Sequence, residues 1–173
     1  MKKTLIFLSL ILFLTSLYAG GMYATGASLT YDSASKTSQI GLFLDSDKLI
    51  VKSEDEKRIN PLISNHFDIV FSELFGKDGL DQIGFSYIGG AGASFKPTST
   101  LYINLSLGPS FFTTFGAHQG TFGIGLGGIL SCSYVFSDPG FMLKAGVQGS
   151  YTLLFDDDNP MMMGAFVGVG YKI

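Results

Sequence analysis

Charge is the scarcest ingredient of this chain. Of its 173 residues only 14% are Asp, Glu, Lys or Arg, against about 25% in soluble domains. A single cysteine, Cys132, excludes an intramolecular disulfide framework and a multi-cysteine zinc site. Beyond Lys2-Lys3 there is no cluster of basic residues, and the net charge is −3, so the chain lacks the basic face that sequence-independent nucleic-acid binding needs. Tryptophan is absent and prolines number 5, while the 23 glycines follow no collagen-like period. After the N-terminal segment no run of 18 apolar residues occurs, which excludes a second membrane-spanning helix. What the chain does have is 46% hydrophobic residues, with 16 Phe and 8 Tyr among them. Its length fits one domain.

The N-terminus carries an address. Lys2 and Lys3 precede the apolar run Leu5 to Leu14, followed by Thr15-Ser16 and a small-residue cleavage site at Leu17-Tyr18-Ala19 before Gly20. The run is well short of the roughly 20 residues that cross a bilayer as a helix. This is the pattern of a secretory signal peptide. We therefore expect residues 1–19 to be removed and residues 20–173 to form the mature domain, with no cysteine near the cut to take a lipid.

Beyond the leader, apolar residues alternate. In 161–173 the odd positions are Met161, Met163, Ala165, Val167, Val169, Tyr171 and Ile173, while the even positions include four smaller or polar residues, Gly164, Gly168, Gly170 and Lys172. The same period of two runs through 141–155, 121–136, 101–112, 82–95, 62–72, 38–45 and 22–31, which predicts eight strands. Pro97 in Lys96-Pro97-Thr98-Ser99 and Asp138-Pro139-Gly140 supply tight-turn chemistry. Longer polar links at 32–37, 73–81, 113–120 and 156–160 fall at the opposite ends. Short turns alternating with longer loops suit a transmembrane barrel. One stretch breaks the scheme: residues 45–60 hold nine charged side chains yet fall among the short turns. Either the second strand runs on through Leu49-Ile50-Val51, or the strand count fails in the N-terminal third.

The second face of each strand decides between lipid and water. A soluble barrel turns its apolar face inward and covers the other with charge. Here residues 121–136 contain no charged side chain, and 82–112 contain only Lys96. An apolar face backed by Gly, Ser, Thr and Gln fits lipid outside and a narrow interior within. Aromatics on the apolar face gather near strand ends, with Tyr23, Phe95, Tyr134 and Tyr171 at one rim and Tyr31, Phe71, Phe111 and Phe122 at the other, as interfacial girdles do. Closure follows, because lipid cannot satisfy the N–H and C=O groups of a free edge. The expected fold is an all-β, antiparallel, up-and-down transmembrane barrel of eight strands, although ten also fit the length.

The chain ends in Gly168-Val169-Gly170-Tyr171-Lys172-Ile173. With that ending and the alternation before it, the chain resembles the small outer-membrane β-barrel proteins of the OmpA/OmpX type, including the OmpW-like barrels. The resemblance implies a place in the outer membrane of a Gram-negative-type bacterium, with membrane lipid and the barrel-assembly machinery as partners. In that family the machinery recognises the last strand through a Gly, an aromatic or apolar residue third from the end, and a terminal aromatic, usually Phe. Gly168, Tyr171 and Ile173 hold those places here, the last departing from Phe.

Motifs for chemistry are few. Gly123-Ile124-Gly125-Leu126-Gly127-Gly128 spells a dinucleotide fingerprint, but the strand period continues through it where a helix should begin. The inward glycines leave a lumen or make room for Phe112, Phe166, Tyr102 and Met162. His66 shares a face with Ser64 and Asp68, which admits a Ser/His/Asp reading. Their spacing of about 7 Å per step along one strand argues against direct contact. His118 and Asp156-Asp157-Asp158-Asn159 fall in outer loops, the latter without the spacing of a calcium loop. Cys132 faces lipid. His66, Asp68, Gln82, Asn104, Lys144 and Gln148 are expected to form an interior polar network. No catalytic, cofactor-binding or metal residue is expected. The role that follows is structural or surface-interacting, with a surface partner or small solute as ligand. A narrow porin-like channel is the alternative, ahead of a lipid-modifying enzyme or a soluble lipocalin-like binder. The intact mass of exported protein is expected to correspond to a chain beginning at Gly20.

Overall fold

A computed structural model describes residues 21–33, 36–51, 55–72, 82–116, 122–136, 140–154 and 161–173, with the side chains of residues 72, 82, 116 and 154 outside that description. The leader, His118 and Asp156–Asn159 lie outside the described residues. Eight strands run β1 (Met22–Asp32), β2 (Thr37–Leu49), β3 (Ile59–Ser72), β4 (Gln82–Phe95), β5 (Leu101–Gly116), β6 (Phe122–Val135), β7 (Phe141–Leu154) and β8 (Met161–Lys172). Each pairs antiparallel with its sequence neighbours, and β1 pairs with β8 from Met22↔Lys172 to Asp32↔Met162, closing the barrel.

The register fixes the width. Stepping through paired residues from Ala93 to Leu105, Leu130, Val147, Ala165, Leu29, Ile40, Phe71 and Ile83 returns to β4 ten residues from the start. A stagger of that size makes the strands tilt steeply, and eight strands leave an interior that side chains can fill. The ladder between β4 and β5 is interrupted opposite Gly89 and Gly90. Pro109 stands on β5 at that height and has no N–H to donate.

Alternation places the faces as the sequence predicts. Leu126, Leu107 and Val167 are 73%, 67% and 63% exposed on the outside, far more apolar surface than water tolerates in one continuous patch. The inside carries Phe43, Tyr102, Ile88, Met142 and Phe166 together with a large set of buried hydroxyls and charges. This is the inversion of a soluble core that lipid requires.

Glycines on the inner face make room for rings. A Cβ at Gly26 would lie 2.9 Å from the Phe43 ring, and one at Gly146 would lie 2.5 Å from the Phe166 ring. The packed interpretation of the inward glycines holds at these positions. Gly140 has φ of 86°, a left-handed conformation in the β6–β7 turn that suits glycine.

Three boundaries differ from the sequence expectation. β2 continues past residue 45 to Leu49, and β3 begins at Ile59 and not at 62, so 45–49 and 59–60 of the charged stretch are strand and the link between them is 50–58. The reason is that alternation persists through it, with Asp45 and Asp47 pointing inward. β5 likewise runs past 112 to Gly116, which removes 113–116 from the expected outer loop. The start of β1 and the end of β8 meet at one mouth, where the Ile173 N–H donates to the Gly21 carbonyl at 2.9 Å. We call this the near mouth and the opposite one the far mouth.

A closed barrel of this kind is expected to keep its hydrogen-bonded wall in SDS until heated. Unboiled and boiled samples of the purified protein should therefore migrate at different positions on a gel, and identical mobility in both would contradict a sealed sheet.

Candidate functional site: a charged core inside the barrel

The interior network is built where β2, β3 and β7 turn their polar positions to the same axis. Lys144 Nζ donates to both Asp45 and Asp47, at 2.5 Å for the latter. Asp47 also accepts from Ser64 Oγ at 2.5 Å and from Asn104 Nδ2 at 2.5 Å. His66 lies between two carboxylates, with Nδ1 2.9 Å from Asp45 and Nε2 3.2 Å from Asp68. Gln148 Nε2 donates to the same oxygen of Asp68. All of these acids, His66 and Lys144 are fully buried.

Above the ions sits an aromatic layer. The Phe43 and His66 rings stack at 5.4 Å with 14° between their planes, and Phe166 packs against both at 4.9 and 4.5 Å. Together with the Lys144 bridge these rings cross the lumen. Charged groups in such surroundings persist only when each finds partners, since a lone buried ion is costly.

A second cluster closes the near mouth. Residues 55–58 of the link are held by Asn60, which accepts from the Lys57 N–H and donates to the Lys57 carbonyl, each at 2.7 Å. Glu56 then accepts from Lys96 at 2.5 Å, Lys172 at 2.9 Å and the Tyr102 hydroxyl at 3.1 Å. Lys96 and Lys172 lie over the Tyr102 ring at 5.1 and 4.6 Å, within cation–π range. Burial alone would push the Glu56 carboxyl up, but its bonds to Lys96 and Lys172 outweigh this and hold it below the ordinary value of 4.5. The same contacts raise Lys96 against its own burial.

Five of the six residues expected in the network are found inside: His66, Asp68, Asn104, Lys144 and Gln148. Gln82 opens β4, and its side chain lies outside the described residues. They form one continuous network, since Asn104 and Lys144 meet Asp47, Gln148 meets Asp68, and Asp45 with His66 links the two ends through Lys144 and Asp68. Sequence reasoning did not name Asp45 and Asp47 as members, since Asp45 stood at the end of the strand 38–45 and both fell in the charged stretch 45–60. Their alternation with Phe43 was the available signal. Tyr102 was expected inside, and it is buried; its partner Glu56 was beyond the reach of sequence reasoning. Ser64 donates to Asp47 and both nitrogens of His66 face acids, so no hydroxyl is paired with the imidazole as a nucleophile with its base. Among the described residues no group of three or more His, Cys, Asp or Glu side chains is arranged to hold a metal ion. Of the residues at the chain end, Tyr171 and Ile173 point outward at 45% and 73% exposure, while Gly168 faces inward beside the Phe43 ring.

No protein family matches the chain, and no curated protein is similar to it in sequence. Solved structures are similar in fold. Neisserial surface protein A aligns with a TM-score of 0.62 at 19% identity, covering 90% of this chain and 98% of the other. Ail, the attachment invasion locus protein of Yersinia pestis, aligns at 0.61 and 15% identity, covering 89% of this chain and 99% of the other. The outer membrane protein OprG from Pseudomonas aeruginosa aligns at 0.53 and 15%, covering 90% and 96%. The fold is that of the small eight-stranded outer-membrane barrels.

Two outcomes follow. Lys144→Met leaves Asp45 and Asp47 without their cation and should lower unfolding stability in detergent by about 3–5 kcal/mol, with part recovered in Lys144→Met/Asp47→Asn. For Glu56, a carboxyl lowered on folding adds stability that is complete above 4.5 and is lost as pH falls through the lower folded value. Glu56→Gln should flatten that acid limb of the stability profile without changing stability's slope near neutrality.

Proposed function

We propose that this chain is an integral outer-membrane barrel with a sealed lumen, acting through its outer links as a structural or surface-interacting protein and not as a pore. The observation that carries this reading is the double closure of the interior: the Lys144 bridges and the Phe43–His66–Phe166 rings across the middle, and the Glu56 cluster across the near mouth. An aqueous path wide enough for solutes needs an interior free of such crossings.

Orientation supports the surface role. The near mouth holds the start of β1 and the end of β8, which in the small barrels this chain resembles face the periplasm, so the links after β1, β3, β5 and β7 face outward. Export by the N-terminal leader and delivery through Gly168, Tyr171 and Ile173 to the assembly machinery belong to the same proposal. The links 33–36, 73–81, 117–121 and 155–160 contain six Asp or Glu against two Lys. One structure of Ail is a complex with the heparin analogue sucrose octasulfate. The acidic balance here disfavours a polyanion of that kind and favours a neutral or cationic surface partner.

Planar-bilayer recording tests the seal. Purified barrel that passes the heat-shift test should give no stepwise conductance in salt. Discrete channel openings in the wild-type protein would transfer the assignment to a narrow channel for small solutes.

A further inference from the structure

Among the described residues, the carboxylates of the central network outnumber the cations that meet them. Asp45, Asp47 and Asp68 are each at most 2% exposed, and Lys144 supplies one positive charge between the first two. His66 faces a carboxylate through each ring nitrogen, and with a hydrogen on both it supplies a second. One negative charge is then left over in surroundings of low dielectric, where an uncompensated ion is strongly disfavoured. The near-mouth cluster has a surplus lysine, but both its lysines are 23% exposed and screened by solvent.

The unfilled oxygens lie elsewhere. Asp68 Oδ1, Gln148 Oε1 and Thr30 Oγ1 are buried without a hydrogen-bond partner among the described residues. Gln148 and Thr30 line a cavity of about 10 Å³ with Ser86, Ser150, the apolar Ile88 and Met162, and Gly149 and Gly164; Asp68 stands outside that lining and is bonded to Gln148. One side chain thus joins the void to the acid. Gly164 bounds the space, since a Cβ there would lie 3.0 Å from Thr30 Oγ1 and 3.3 Å from Gln148 Nε2. Such a volume admits one particle of about the size of water. A single carboxylate with neutral oxygens matches one positive charge, whereas a calcium ion takes six to eight oxygens and commonly several carboxylates.

We propose that this cavity binds one monovalent cation of sodium's size, with the free oxygens of Gln148 and Thr30 as neutral ligands and Asp68 as counter-charge. An ion bound to the folded barrel and not to the unfolded chain raises stability with its concentration.

The test compares thermal unfolding of the folded barrel in detergent, read by the heat-shifted gel band, in sodium chloride and in N-methyl-D-glucamine chloride of equal ionic strength at fixed pH. Sodium should raise the midpoint, in a saturable titration. Asp68→Asn should remove that dependence or move the sodium midpoint concentration up by about tenfold or more. Gly164→Ala, which puts a methyl into the void and keeps Asp68, should do the same and covers the case in which Asp68→Asn fails to fold. Equal midpoints in the two salts overturn the proposal. So does a sodium effect that survives in Gly164→Ala, which places the ion elsewhere. A midpoint that follows pH and ignores the cation shows a proton on one of the carboxylates instead, and overturns it too.

Discussion

Every backbone amide in the wall of this molecule has to be bonded within the sheet, because hydrocarbon offers no substitute for water. That requirement closes β1 on β8 and sets the strand number and stagger together. Eight strands with a stagger of ten enclose a space only a few side chains wide. The rest of the structure answers the question of what fills it. Rings enter where glycines on neighbouring strands step back, as Gly26 and Gly168 do for Phe43. Ions enter where carboxylates, Lys144 and His66 can reach one another across the axis.

Outer and inner faces therefore obey opposite rules. The outer face is selected for simple apolarity, and any residue of the right character serves. The inner face is specific, since each buried ion depends on a partner from a distant strand. Removing Asp47 strands Lys144 in part, and removing Lys144 strands two acids. The charged interior is a poor source of net stability compared with apolar packing, but it ties β2, β3, β5 and β7 to one arrangement.

Legibility in the sequence follows that division. The wall could be read because lipid imposes a period of two on every strand, and Met161 to Ile173 or Phe141 to Leu153 show it without interruption. His66, Asp68, Asn104, Lys144 and Gln148 could be placed inside because each stands on the polar side of such a strand. Their partners could not, because pairing across a lumen joins residues about a hundred positions apart, as in Lys144 with Asp45, and no local pattern encodes it. The segment 45–60 misled for a related reason. Its charge density reads as solvent-exposed, whereas Asp45 and Asp47 are buried and paired with Lys144, far along the chain. Glu56, an acid in a polar link, shows nothing locally of Lys96 and Lys172.

The near-mouth cluster has a consequence for the order of assembly. Adjacent hairpins form from short-range contacts, but Glu56 meets Lys172 across 116 positions and Lys144 meets Asp47 across 97. Such contacts come late, since loop-closure entropy opposes them until the intervening sheet exists. A sheet that has not yet joined β8 to β1 lacks Lys172 beneath Glu56. The latch at the mouth and the seam in the wall thus complete one another, and a barrel arrested before closure carries at its base an acid missing one of its two lysines, a local mark that distinguishes the unfinished molecule from the finished one.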